Sequence, residues 1–85
     1  MILDPELLGH VAGMLTTGAF VPQVLRVLRT RQTRDISLAT FVLFVVGVAL
    51  WLVYGLLLHA WPVVVANAAT LVLALVILIA KLRYG

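Results

Sequence analysis

The chain has 85 residues, 65% of them apolar and only 11% charged, with a formal net charge of +3 and a mean hydropathy of +1.24. A small soluble domain needs a polar surface that this composition cannot supply, so the sequence points to lipid as its solvent. There is no cysteine for a disulfide or thiolate metal site, and His10 and His59 have no ligand spacing. The basic residues flank apolar segments instead of striping one face, which argues against a nucleic-acid partner.

The first element opens at "DPE", where Asp4 is placed to cap a helix with Pro5 in its first turn. An N-terminus carrying Asp4 and Glu6, with no Lys or Arg, does not read as a cleaved signal peptide. Leu7 to Leu25 is an uncharged run, His10 being taken as neutral, that includes Thr16, Thr17, Pro22 and Gln23. Gly9 and Gly13 form a GxxxG, a spacing that lets two helix backbones approach closely. Pro22 lacks an N–H and crowds the carbonyl of Gly18, so the helix is expected to bend or loosen there. The freed carbonyl then needs a partner, which Gln23 or water can supply. A kink in this position lets the inner half of the span swing while the outer half stays packed.

Leu38 to Leu58 and Trp61 to Ala80 are the second and third apolar runs. A helix needs roughly 20 apolar residues to cross the hydrocarbon core. The sequence therefore predicts an all-α membrane protein, one domain over residues 1–85 with spans at approximately 7–28, 38–58 and 62–80. Arg26, Arg29, Arg31 and Arg34 lie around the first loop, and Lys81 and Arg83 follow the third span. With three spans all six fall on one side, which places the N-terminus outside and the C-terminus in the cytoplasm. Trp61 and Tyr84 suit the two aromatic belts.

Three helices are too few to enclose an aqueous path. Copies inserted in one orientation would associate as a parallel dimer with its axis along the membrane normal. Trp51 lies seven residues before Leu58, and Asn67 six after Trp61. At ~1.5 Å per residue both sit roughly 9–10 Å below the outer edge. Either residue alone reads as structural, an indole filling space or an amide cross-linking helices. Together they offer a face for the C–H side of a sugar ring and hydrogen bonds for hydroxyls, chemistry suited to a neutral polyol. Thr70 shares a helix face with Asn67, Tyr54 lies one turn outward of Trp51, and Thr16 and Thr17 add hydroxyls that commonly bond back to their own helix. No Asp, Glu, Lys or Arg lies deep in a span, whereas ion-coupled carriers usually use an intramembrane carboxylate. No nucleophile and base come together, so the reading is not an enzyme, with no catalytic residue, cofactor or metal.

"FVPQVLRVLRTRQTRDIS", with Trp51, "VYG" and "VVANAATL", resembles the PQ-loop signature of the bacterial SemiSWEET sugar transporters, over Gly13 to Leu82. The resemblance implies a facilitative carrier of a mono- or disaccharide in the inner membrane. It would work as a parallel homodimer whose central site opens alternately to either side. It further implies that Trp51 and Asn67 bind substrate, that Pro22 and Gln23 form the hinge of the inner gate, and that Tyr54 closes the outer gate. Some relatives latch that gate with an Arg and an Asp. Leu58 and Ala60 stand there in this chain, so closure would rest on Tyr54 and apolar contact, with His59 nearby. Competing readings are a non-transporting PQ-loop scaffold, a carrier of another small neutral solute, a coupled amino-acid carrier, and a small pore.

Overall fold

Asp4 starts the first span: its carboxylate accepts from the Glu6 N–H at 3.1 Å, and Pro5 occupies a first-turn position that needs no donor. The computed structural model describes residues 4–85; Met1, Ile2 and Leu3, at the start of the expected domain, lie outside them. Helix α1 runs Pro5–Gly18 and α2 runs Phe20–Thr30. Together they make one 26-residue stretch long and apolar enough to cross a membrane. The division falls at Ala19, immediately after Gly18, whose carbonyl would in a regular helix accept from residue 22. Ala19 keeps a right-handed helical backbone (φ −63°, ψ −22°), so the span loosens without reversing. Gln23, expected near that carbonyl, lies on the exposed side of α2 and lines a cavity at the first loop.

Helix α2 stops at Arg31, whose left-handed backbone (φ 57°) lets its N–H donate to the Val27 carbonyl at 2.8 Å. Helix α3, Leu38–Leu58, begins at Ser37, whose hydroxyl accepts from the Thr40 N–H at 3.2 Å. It ends at His59 (φ 54°), with the Ala60 N–H reaching back to the Gly55 carbonyl at 2.9 Å in a Schellman arrangement. His59 and Ala60 alone separate α3 from α4, Trp61–Tyr84, so these two helices form an antiparallel hairpin. Pro62 sits in the first turn of α4, where its missing N–H costs nothing. At its far end α4 continues past the apolar run through Lys81 and Arg83.

Neighbours in sequence are not always neighbours in space. Helix α4 lies between the first span and α3, and no Cα of the described first span comes within 8 Å of one in α3. The result is a layer one helix thick, 48 × 24 × 14 Å. Helices α1 and α4 run parallel in a constant register. Gly9 meets Pro62 and Gly13 meets Ala66, and Thr17 meets Thr70, a separation of 53 residues. The same offset relates Val24 to Ile77 and Val27 to Ala80, all four buried. The side-chain core therefore sits in the half nearer the first loop, around Ala74 and Ile77, which are fully buried.

Lipid is as apolar as leucine, so burial inside a membrane gains little from leaving solvent; close contact and hydrogen bonds must hold the helices. The seam between α1 and α4 shows both. A Cβ built on Gly9 would stand 2.9 Å from the Pro62 Cβ, and one on Gly13 would stand 2.7 Å from the Ala66 Cβ. Only glycine permits that approach.

Candidate functional site

The site is built from the α3–α4 hairpin. Gly55 lets the two helices close, since a Cβ there would meet the Val63 Cγ1 at 3.0 Å and the Val64 Cγ2 at 3.2 Å. With Gly55 opposite Val63 and the helices antiparallel, one turn inward on each brings Trp51 and Asn67 to one level.

Trp51 remains 57% exposed, and its ring meets Tyr54 edge-on, with centroids 5.3 Å apart at 84°. That packing steadies the indole edge and leaves most of the ring open. Asn67 is half-buried, and its Nδ2 donates to the Val63 carbonyl at 2.9 Å. The tie uses one N–H and fixes the amide plane, while the second N–H and Oδ1 take no part in it. An open aromatic face and an oriented amide at one level suit a flat, hydroxyl-bearing solute.

Thr70 faces elsewhere. Its hydroxyl lies 2.9 Å from that of Thr17, which in turn is 3.2 Å from the Ala66 carbonyl. Thr17 has one proton, so when it donates to Ala66 it accepts from Thr70, and the pair joins α1 to α4. Thr16 does bond back to its own helix, to the carbonyls of Ala12 and Gly13 at 3.2 and 3.3 Å. The two adjacent threonines thus have opposite roles, and sequence alone does not separate them.

Beyond the break, Pro22 and Gln23 occupy exposed positions on α2. The sequence reading missed the ring contact that reaches α3 from there. Phe20 stacks on Phe44 at 5.4 Å and 22°, and Phe44 meets Phe41 edge-on at 6.0 Å. The signal was present as aromatics flanking the break, but their pairing depends on helix placement.

A family model described as the PQ loop repeat matches residues 5–64. The chain is 50% identical to a sugar transporter SemiSWEET of Bradyrhizobium diazoefficiens, covering 98% of this chain and all of that one. It is 51% identical to a protein of the same name from Leptospira biflexa, over 94% of each. The chain belongs to the SemiSWEET group of the PQ-loop family. A solved structure of a bacterial homologue of SWEET transporters superposes with a TM-score of 0.88 at 42% identity, covering 94% of this chain and 96% of the other.

The turn between α3 and α4 is chemically plain in this chain. Leu58 and Ala60 carry no charge, and His59 serves as the cap of α3 with its ring tilted on Trp61 at 6.0 Å. Helix α3 has no charged side chain anywhere along its length. Among the described residues no cluster of His, Cys, Asp or Glu could hold a metal.

Proposed function

We propose that this chain carries a small sugar, a mono- or disaccharide, down its own gradient by alternating access, as a parallel homodimer. The observation that carries the reading is the open indole of Trp51 in the middle of a span, on a layer one helix thick. One such layer cannot surround a solute. A second copy in the same orientation, related by a two-fold axis along the membrane normal, would supply the facing wall with its own Trp51 and Asn67. The names of the relatives support sugar as the cargo.

In this reading Trp51 and Asn67 bind substrate and Tyr54 narrows the outer entrance. Pro22 and Gln23 belong to the moving inner segment. Helix α1 is held to α4 by Gly9, Gly13 and Thr17 up to the break, while α2 packs on α4 through Val24 and Val27, so a swing of α2 about the break repacks that contact and brings Phe20 to or from Phe44. No carboxylate lies deep within a span, Glu6 being in the first turn of α1, so none is placed to couple movement to an ion, which supports uniport. The clustering of the six basic residues supports a first loop and C-terminus in the cytoplasm and an N-terminus outside, in the inner membrane of a bacterium.

The test is uptake of labelled glucose and labelled sucrose into liposomes holding the purified protein, beside Trp51→Ala and Asn67→Ala. Saturable uptake without an imposed ion gradient is expected, falling to the level of empty liposomes in both variants. Equal uptake by a correctly inserted Trp51→Ala would remove the binding role.

A further inference from the structure

We propose that the cavity at the first loop is a binding site for a phosphate-bearing anion, drawn from a phospholipid headgroup or from free phosphate. The cavity has a volume of about 630 Å³ and lies where α2 ends, α3 begins and α4 ends. That is the level at which three apolar helices leave the hydrocarbon and meet headgroups.

Its side-chain charge is set by three guanidinium groups, Arg26, Arg31 and Arg34, against one side-chain carboxylate, Asp35. Guanidinium presents a planar fork of N–H donors that matches the oxygens of a phosphate. Arg31 is held in place twice. Its backbone closes α2, and its Cζ sits 5.5 Å over the ring of Tyr84, which also lines the cavity. Stacking fixes the plane of a guanidinium while leaving its edge donors free to bond.

Two further features favour an anion. Carbonyls facing the cavity would repel one, but the Lys81 amine already donates to those of Thr33, in the loop, and Gly85, at the end of α4, at 2.9 and 3.3 Å. In the cavity wall Thr33 is 2% exposed, and its hydroxyl has no hydrogen-bond partner. A buried hydroxyl is costly to leave unpaired; this one is closed off from the cavity as it stands, and would meet a phosphate oxygen once the loop opened around an occupant.

Arg29 provides the internal control. It lies on the same helix with the same charge but does not line the cavity. Diffuse attraction between a basic loop and an anionic membrane would draw on Arg29 as much as on its neighbours. A built site would not. Gln23 and Val27 of α2 form part of the same wall, so an occupant would also bear on the segment beyond the break, a consequence that rests on the transport reading above.

The experiment measures binding and needs no transport. The full chain in neutral detergent is mixed with phosphatidylglycerol or phosphatidylcholine, and the retained lipid is counted by native mass spectrometry. Phosphatidylglycerol should be held in preference. Its retention should fall about fivefold for each of Arg26→Gln, Arg31→Gln and Arg34→Gln, and rise for Asp35→Asn. Arg29→Gln should change it less than about twofold. Arg31→Gln alters a helix cap, so Arg26→Gln and Arg34→Gln carry the test in parallel, each checked for unchanged helix content.

A second arm measures the melting temperature in inorganic phosphate without lipid. A rise that depends on the same arginines identifies free phosphate as a ligand, and a response to phosphatidylglycerol alone identifies the lipid. Equal losses in Arg29→Gln and the cavity variants would overturn the proposal. So would equal retention of the two lipids with no effect of phosphate.

Discussion

Gly13→Ala adds one methyl group where α1 touches α4, and its effect can be worked from the contact. The new Cβ would stand 2.7 Å from the Ala66 Cβ and 3.8 Å from its Cα. Carbon atoms rest at about 3.5–4.0 Å, so the helices must part locally by roughly 1 Å. Overpacking of this kind costs about 1–3 kcal/mol. Against it stands a gain of about 0.8–1.0 kcal/mol from replacing a helical glycine by alanine. Separation at Gly13 would also strain the Thr17–Ala66 hydrogen bond one turn along. Gly18 and Gly47 supply the reference, because a Cβ at either meets nothing within 4 Å. Gly18→Ala and Gly47→Ala should therefore show the propensity gain alone. Helical circular dichroism during titration of sodium dodecyl sulfate into neutral micelles would read the difference. Gly13→Ala is expected about 1–3 kcal/mol below the two references, with recovery when Ala66→Gly is added to it. A Gly13→Ala protein as stable as Gly47→Ala, or no recovery in the double variant, would refute the close-contact account.

Other outcomes follow from the same geometry. Pro22→Ala restores the donor for the Gly18 carbonyl, so the first span should close into one helix, gaining up to about 3 kcal/mol against denaturation. Uptake should slow at the same time, and undiminished uptake by the stabilised variant would remove the break from the mechanism. Thr17→Val and Thr70→Val should each destabilise, and their double-mutant cycle should return a coupling of about 0.6–2 kcal/mol; zero coupling would mean that the hydroxyls do not bond. Phe44→Leu should lose about 0.5–1.5 kcal/mol with the Phe20 stack. If the loss persists when Phe20 is already leucine, the stack is not its source.

Much of this was legible because membrane helices write their limits into composition. The three spans follow from apolar run length, and the cap at Asp4 from its place before Pro5. The break at Ala19 follows from the donor that Pro22 lacks. What the sequence does not carry is which span touches which. The GxxxG of Gly9 and Gly13 announced a close contact without naming Pro62 and Ala66, because register between spans far apart in sequence leaves no local pattern. Thr17 illustrates the limit. Its habit in isolation is to bond its own helix, as Thr16 does, and only the approach of α4 gives it other partners. Thr70, grouped with Asn67 by periodicity, is claimed by Thr17 for the same reason. The level shared by Trp51 and Asn67 was countable from the span ends, and the Gly55–Val63 contact supplies a register that hydropathy could not.

The middle position of α4 also governs the order in which the molecule can be made. The first span and α3 share no close backbone contact among the described residues, so beyond the Phe20–Phe44 stack neither gives the other a surface on which to settle as it enters the bilayer. Gly9 and Gly13 wait, already inserted, for Pro62 and Ala66, which leave the ribosome more than fifty residues later. Helix α4 then arrives through a two-residue turn that delivers it beside α3, and its other side becomes the first seat offered to α1 and α2. Until that moment the first span and α3 have only the Phe20–Phe44 stack to join them, and the contacts of Gly9, Gly13 and Thr17 all date from the entry of the last span.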